Sequence, residues 1–119
     1  MFFIDQEHEN SFKAIVQQFG KSKDREYLAA YYVLVADDEL CSKAAQHINR
    51  DGINWSAIWG QDWSSGYRLL LELTESLFKS AGEVRLAYSL RIWDDDLYDL
   101  AMQAIYIRRR GLRRGFLEF

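Results

Sequence analysis

No proline occurs anywhere in the 119 residues of this chain. Proline interrupts a helix more firmly than any other residue, since it lacks an amide hydrogen and its ring collides with the preceding turn. Without it, 7 glycines are the only strong breakers, and helices can run until a glycine or a small polar cluster stops them. Hydrophobic residues make up 49% and charged residues 28%, which supports a real core and excludes a disordered tail. The expected fold is all-α, a compact single-domain bundle of five to six helices over 1–119 with a basic C-terminal end at 108–119.

The apolar spacing divides the chain into segments. Asp5 is placed to cap a helix on which Phe12, Ile15, Val16 and Phe19 share a face, and Gly20 stops it. Asp24 opens "REYLAAYYVLVA", whose apolar residues surround it nearly completely, as on a helix central to its domain. Asp37 and Asp38 open a third helix with Leu40, Ala44 and Ile48 buried, closed by "NRDG". Asn54 caps a short turn ending at Gly60, and Ser64 or Ser65 starts a helix through Lys79. Residues 83–93 alternate like a strand at Val84, Leu86 and Tyr88, while Leu86, Leu90 and Trp93 fit a helix face. A lone strand lacks a partner, so helix is the expectation. Asp94 begins the last helix, with Leu97, Ala101, Ala104, Ile105 and the stem of Arg108 turned inward.

Charge is unevenly distributed. The net charge is −3, but residues 1–107 alone carry −7 and residues 108–119 carry +4. An acidic body with a basic tip favours protein partners, and a second copy of the chain is one, its basic end meeting the acidic body. Cys41 is the single cysteine, which excludes an internal disulfide and a thiolate cluster. The start "MFFIDQEHEN" has no basic, apolar leader pattern, and no apolar run reaches about 18 residues. A cytoplasmic chain without membrane contact is expected.

Four stretches bear on kinship. "FIDQEHENSF" offers Phe3, Asp5, Glu7, His8 and Phe12, and "YYVLVADDEL" joins tyrosines and an aliphatic run to two acids. "INWSAIWGQDWSSGYRLLLELTESLF" carries Ile53, Ile58, Trp63, Gly66 and the pair Leu77 and Phe78, and "AIYIR" spans 104–108. In this order they resemble a family of small uncharacterised helical proteins of Gram-positive bacteria, their phages and mobile elements. The resemblance implies a shared helical fold and a mobile-element origin. It transfers no catalytic residue, and the arginine-rich end replaces a shorter tyrosine-rich finish.

Enzymatic chemistry finds little support. Asp5, His8 and Glu9 lie three to four residues apart, a start for a metal-dependent hydrolase, but zinc needs three or four ligands and no HExxH spacing occurs. Asp94, Asp95, Asp96 and Asp99 have no interleaved glycine of a calcium loop and suit a helix N-terminus, where Asp95 and Asp96 also offer an acidic patch. No phosphate loop or nucleophile elbow appears. No cofactor, metal or catalytic residue is assigned.

Two features exceed structural need. Arg108, Arg109, Arg110, Arg113 and Arg114 fall within seven residues, more than a helix C-terminus uses. Arg109, Arg110, Arg113 and Arg114 are candidates for gripping acids on a protein or phosphates of a nucleic acid. Trp55, Trp59 and Trp63 recur every four residues, but Gly60 and the serines split them. Trp63 then reads as packing, while Trp55 or Trp59 is left as an exposed anchor of the kind interfaces favour. The expected function is a non-enzymatic interaction protein, a phage or mobile-element accessory that binds and inhibits a host complex in the manner of an anti-CRISPR. Nucleic-acid binding through the arginines is the alternative.

Overall fold

From Leu28 to Ala36, nine consecutive residues are buried. They belong mostly to α2 (Arg25–Leu34), which is surrounded by the rest of the protein. The computed structural model describes residues 1–117. The last two positions of the expected basic end, Glu118 among them, lie outside the described residues.

Around α2 stand α1 (Gln6–Phe19), α3 (Asp38–Ala44), α5 (Ser65–Lys79) and α7 (Asp95–Arg110). Its most extensive contact is with α7. Ala29 and Ala30 of one helix and Ala101 and Ala104 of the other are fully buried. Small side chains let two helices approach closely, which is why an all-apolar helix and an alanine-lined face pair here.

The caps follow the acids and amides in the sequence. Asp5 accepts from the His8 amide, Asp37 from Leu40, Asn54 from Ala57 and Asp94 from Leu97. Each satisfies an amide that the first helical turn leaves without a partner. Asp24 and Ser64 hold the same position without a side-chain bond.

The architecture is helical but finer than expected. Seven α-helices stand among the described residues, because α4 (Trp55–Trp59) and α6 (Leu86–Ile92) are separate short elements. A 3-10 turn at Ala45–His47 leads into a small antiparallel pair, β1 (Ile48–Asn49) and β2 (Gly52–Ile53), with Ile48 opposite Ile53. The "NRDG" segment makes this hairpin, where Asn49 accepts from the Asp51 amide at 2.9 Å. Such two-residue strands carry too little periodicity to be read from spacing.

Two faces differ from the sequence expectation. Residues 86–92 are helical, but Leu86 and Leu90 are 47% and 48% exposed, and only Ser89 of α6 is buried. On α7 the inward residues are Leu100, Ala101, Ala104 and Ile107, and Ile105 is at the surface. The helix is rotated so that its smallest side chains meet α2. Gly66 permits the close entry of α7: a Cβ there would stand 2.9 Å from Leu97 Cδ1, and the Trp93 indole donates to the Gly66 carbonyl at 3.2 Å.

Candidate functional site

The acid and histidine cluster at the start of α1 is consumed by the fold. His8 is 1% exposed and packs edge-on against Phe3. Its Nδ1 accepts from the Ile4 amide at 3.2 Å and its Nε2 donates to the Tyr32 carbonyl at 2.7 Å. Burial pushes the imidazole below its ordinary titration range, against the raising effects of the Tyr32 carbonyl and of Asp5 and Asp37. Asp5 caps α1 and Glu9 pairs with Lys13 at 2.9 Å. Among the described residues no group of three histidine, cysteine or acidic side chains stands where it could hold a metal ion.

Cys41 borders the same region and is half-buried. Burial, helped by Asp38, Asp37 and Glu7, raises its thiol above the ordinary range. That direction disfavours the thiolate a nucleophile needs.

Indole placement corrects the anchor expectation. Trp55 is 5% exposed and packs against Phe78, with ring centroids 5.7 Å apart, so it has no face to offer a partner. Trp63 is 4% exposed and donates to the Ile58 carbonyl at 2.8 Å. Trp59 is half-buried, and its indole donates to Glu75 at 3.0 Å. The segment is a core plug with one partly accessible edge. Large flat side chains fill the corner where α3, α4 and α5 meet better than several small ones.

Exposed apolar surface lies elsewhere. Leu86, Tyr88, Leu90 and Ile92 on α6 and Tyr98, Ile105 and Tyr106 on α7 are all more than a third exposed. Tyr106, at 58%, is the most exposed of them. Scattered surface hydrophobes are ordinary, and here they are concentrated on two consecutive helices. Beside α7 runs a groove of about 690 Å³ whose lining includes Phe2, Phe3, Met102 and Tyr106, with Glu9, Asp99 and Arg113 as charged members.

Charge brackets this surface. Asp95 and Asp96 are exposed at the start of α7, while Arg109 and Arg110 are exposed at its end, followed by Arg113 and Arg114. The four arginines form no ion pair among the described residues, unlike Lys13, Lys43, Lys79 and Arg85. Arg108 is different: it donates to the Leu77 carbonyl at 2.9 Å and to Ser80, where α5 ends. Arg25 donates to the Arg109 carbonyl at 2.9 Å and ties the opening of α2 to the basic end. The structure thus brings Asp95, Asp96, Arg109 and Arg110 onto one helix, leaves Arg113 and Arg114 in the segment after it, and sends Trp55 into the core. Tyr98, Ile105 and Tyr106 were missed by a reading of periodicity alone. The signal for them is the heptad-like spacing of α7 between its two charged ends.

Comparison with family models, with curated proteins and with solved structures finds no match for this chain.

Proposed function

We propose that this protein is a non-enzymatic protein-binding module that docks through α6 and α7. The observation that carries this reading is the concentration of exposed apolar side chains at residues 86–106, with Asp95 and Asp96 between those of α6 and α7 and Arg109 and Arg110 beyond them. An apolar centre with a charged rim is the composition of a protein interface. Among the polar groups that would serve catalysis, His8 and Asp5 are bonded within the fold and Cys41 is held as a thiol. The family resemblance supports an accessory role in a phage or mobile element, binding and inhibiting a host complex.

The test is affinity capture from the host with the whole chain and with Leu86→Asp and Leu90→Asp changed together. Capture of a defined partner that the variant loses is expected. Failure to capture any partner, together with substrate turnover by the purified chain, would overturn the reading.

A second reading has its own observation. Arg109, Arg110, Arg113 and Arg114 are exposed and without ion pairs among the described residues, as a phosphate-binding end would be. Nucleic-acid binding would then weaken steeply with salt and vanish when all four become alanine.

A further inference from the structure

The outer parts of residues 94–110 read alike from both ends once the charges are exchanged, while nearer the centre Asp99 stands opposite Ile105 and Ala101 opposite Gln103. Counting outwards from Met102, Asp94 and Arg110 are eight residues away, Asp95 and Arg109 seven, Asp96 and Arg108 six. Leu97 mirrors Ile107, and Tyr98 mirrors Tyr106.

Of these, Asp95, Tyr98, Tyr106 and Arg109 are exposed on the side of α7 turned away from the core, whereas Ile107 is buried. Asp95, Tyr98, Met102, Ile105 and Arg109 succeed one another at intervals of three, four, three and four residues. That is the spacing of a seam between two helices lying along each other. All five are exposed except Met102, which is half-buried beside the groove. Leu100, Ala101, Ala104 and Ile107 occupy the opposite side, against the core.

We propose that a second copy of this chain docks on this seam, with its α7 antiparallel to the first about a two-fold axis at Met102. In that arrangement Asp95 of one copy meets Arg109 of the other, and symmetry repeats the pair. Tyr98 lies against Tyr106 and Met102 against its own equivalent, with Asp99 opposite Ile105 at the edge of the contact, while the charged ends are neutralised. The parallel alternative sets acid on acid and arginine on arginine, and aligns the two helix dipoles unfavourably. Nucleic acid would satisfy only the basic half and would be repelled by the acidic one. Arg108 stays on α5 and takes no part.

This proposal rests on the reading of α7 as a docking face and names its occupant. The 16 residues of α7 make a contact about 24 Å long. Such a contact covers less than the ~800 Å² per partner of a typical stable complex. The dimer is therefore weak and salt-sensitive.

Sedimentation of the whole chain over a range of concentrations tests it. A monomer–dimer equilibrium is expected, weakening at least tenfold on moving from low to high salt. Asp95→Arg alone and Arg109→Asp alone each weaken the dimer at least tenfold, and mixing the two variants restores association. Met102→Cys on a Cys41→Ser background forms a disulfide-linked dimer on oxidation, which keeps the test open should a charge variant fail to fold. A chain that stays monomeric at all concentrations overturns the proposal, as does a dimer that ignores both charge reversals. If the monomeric chain still captures a host protein and Asp95→Arg abolishes that capture, the docking face stands and the second copy falls. A monomer that captures nothing and turns over a substrate overturns both.

Discussion

His8 donates from Nε2 to the carbonyl of Tyr32 across 2.7 Å while its Nδ1 accepts from the Ile4 amide. Because an amide can only donate, Nδ1 must be unprotonated, and the buried ring is held as one neutral tautomer. The contact joins the N-terminal segment, α1 and the last turns of α2. Tyr32 returns the link through its hydroxyl, which donates to the Phe2 carbonyl at 2.6 Å.

A pH dependence follows. The folded pKa of His8 lies below its ordinary 6.5, so the unfolded chain binds the proton more tightly than the folded one. Stability is then complete above pH about 6.5 and declines as pH falls from there through the folded pKa. Thermal unfolding at pH 7.5 and 5.5 should show a lower Tm at the acid end. His8→Gln should flatten that difference, and an unchanged difference would remove His8 as its source.

Trp63 and Trp55 are nearly equally buried, yet removing their indole nitrogens should have unequal effects. The Trp63 nitrogen has a partner in the Ile58 carbonyl. The Trp55 nitrogen is buried without one among the described residues. Trp63→Phe gives up a hydrogen bond that is made, although the Ile58 carbonyl still accepts from the Gln61 amide at 3.1 Å, whereas Trp55→Phe removes an unpaired donor. An unmet buried polar group costs about 1–3 kcal/mol. Urea unfolding should place Trp63→Phe at least ~1 kcal/mol below Trp55→Phe. Equal losses would contradict this assignment.

Asp37 works with both oxygens: Oδ1 caps α3 at Leu40, and Oδ2 accepts from the Tyr67 hydroxyl of α5 at 2.5 Å. Burial first, and then this bond, raise the Tyr67 hydroxyl above its ordinary range, so it stays protonated and donates. Asp37→Ala should cost about 1–2 kcal/mol through loss of the cap alone, and more with the tyrosine bond. A double-mutant cycle with Tyr67→Phe should return a coupling of about 1 kcal/mol. Additive losses would show the two groups to be independent.

Much of this fold could be read from the residues because its signals are local. Asp5, Asp37, Asn54 and Asp94 announce helix starts through their own side chains, and the apolar run of α2 announces a central helix. What stayed hidden depends on neighbours. Whether Trp55 or Trp59 meets water is decided by α5, which supplies Glu75 to one and Phe78 to the other. Which side of α7 faces in is decided by the alanines of α2, and Ile105 gave no sign of it. The candidate surface was half legible: its charges stand out in composition, but Ile105 read as core, and Tyr98 and Tyr106 drew no reading from spacing at all.

The arginine run should divide by function when its members are replaced singly. Arg108 covers carbonyls at the end of α5, through Leu77, and reaches Ser80, which closes that helix with φ of 56°. Those carbonyls have no intrahelical partner, so a guanidinium there serves as a cap. Arg109 and Arg110 project outward, with only the Arg109 backbone engaged, by Arg25. Arg108→Ala should therefore lower stability by about 1 kcal/mol, while Arg109→Ala and Arg110→Ala stay within about 0.5 kcal/mol of the parent. Binding should move the other way: Arg109→Ala and Arg110→Ala lose affinity for an acidic partner and flatten its salt dependence, and Arg108→Ala keeps both. Chemical denaturation beside a salt titration of binding reads the two effects separately. Equal loss of stability at all three positions would mean that the run acts as one structural unit, contrary to the division drawn from Leu77 and Ser80.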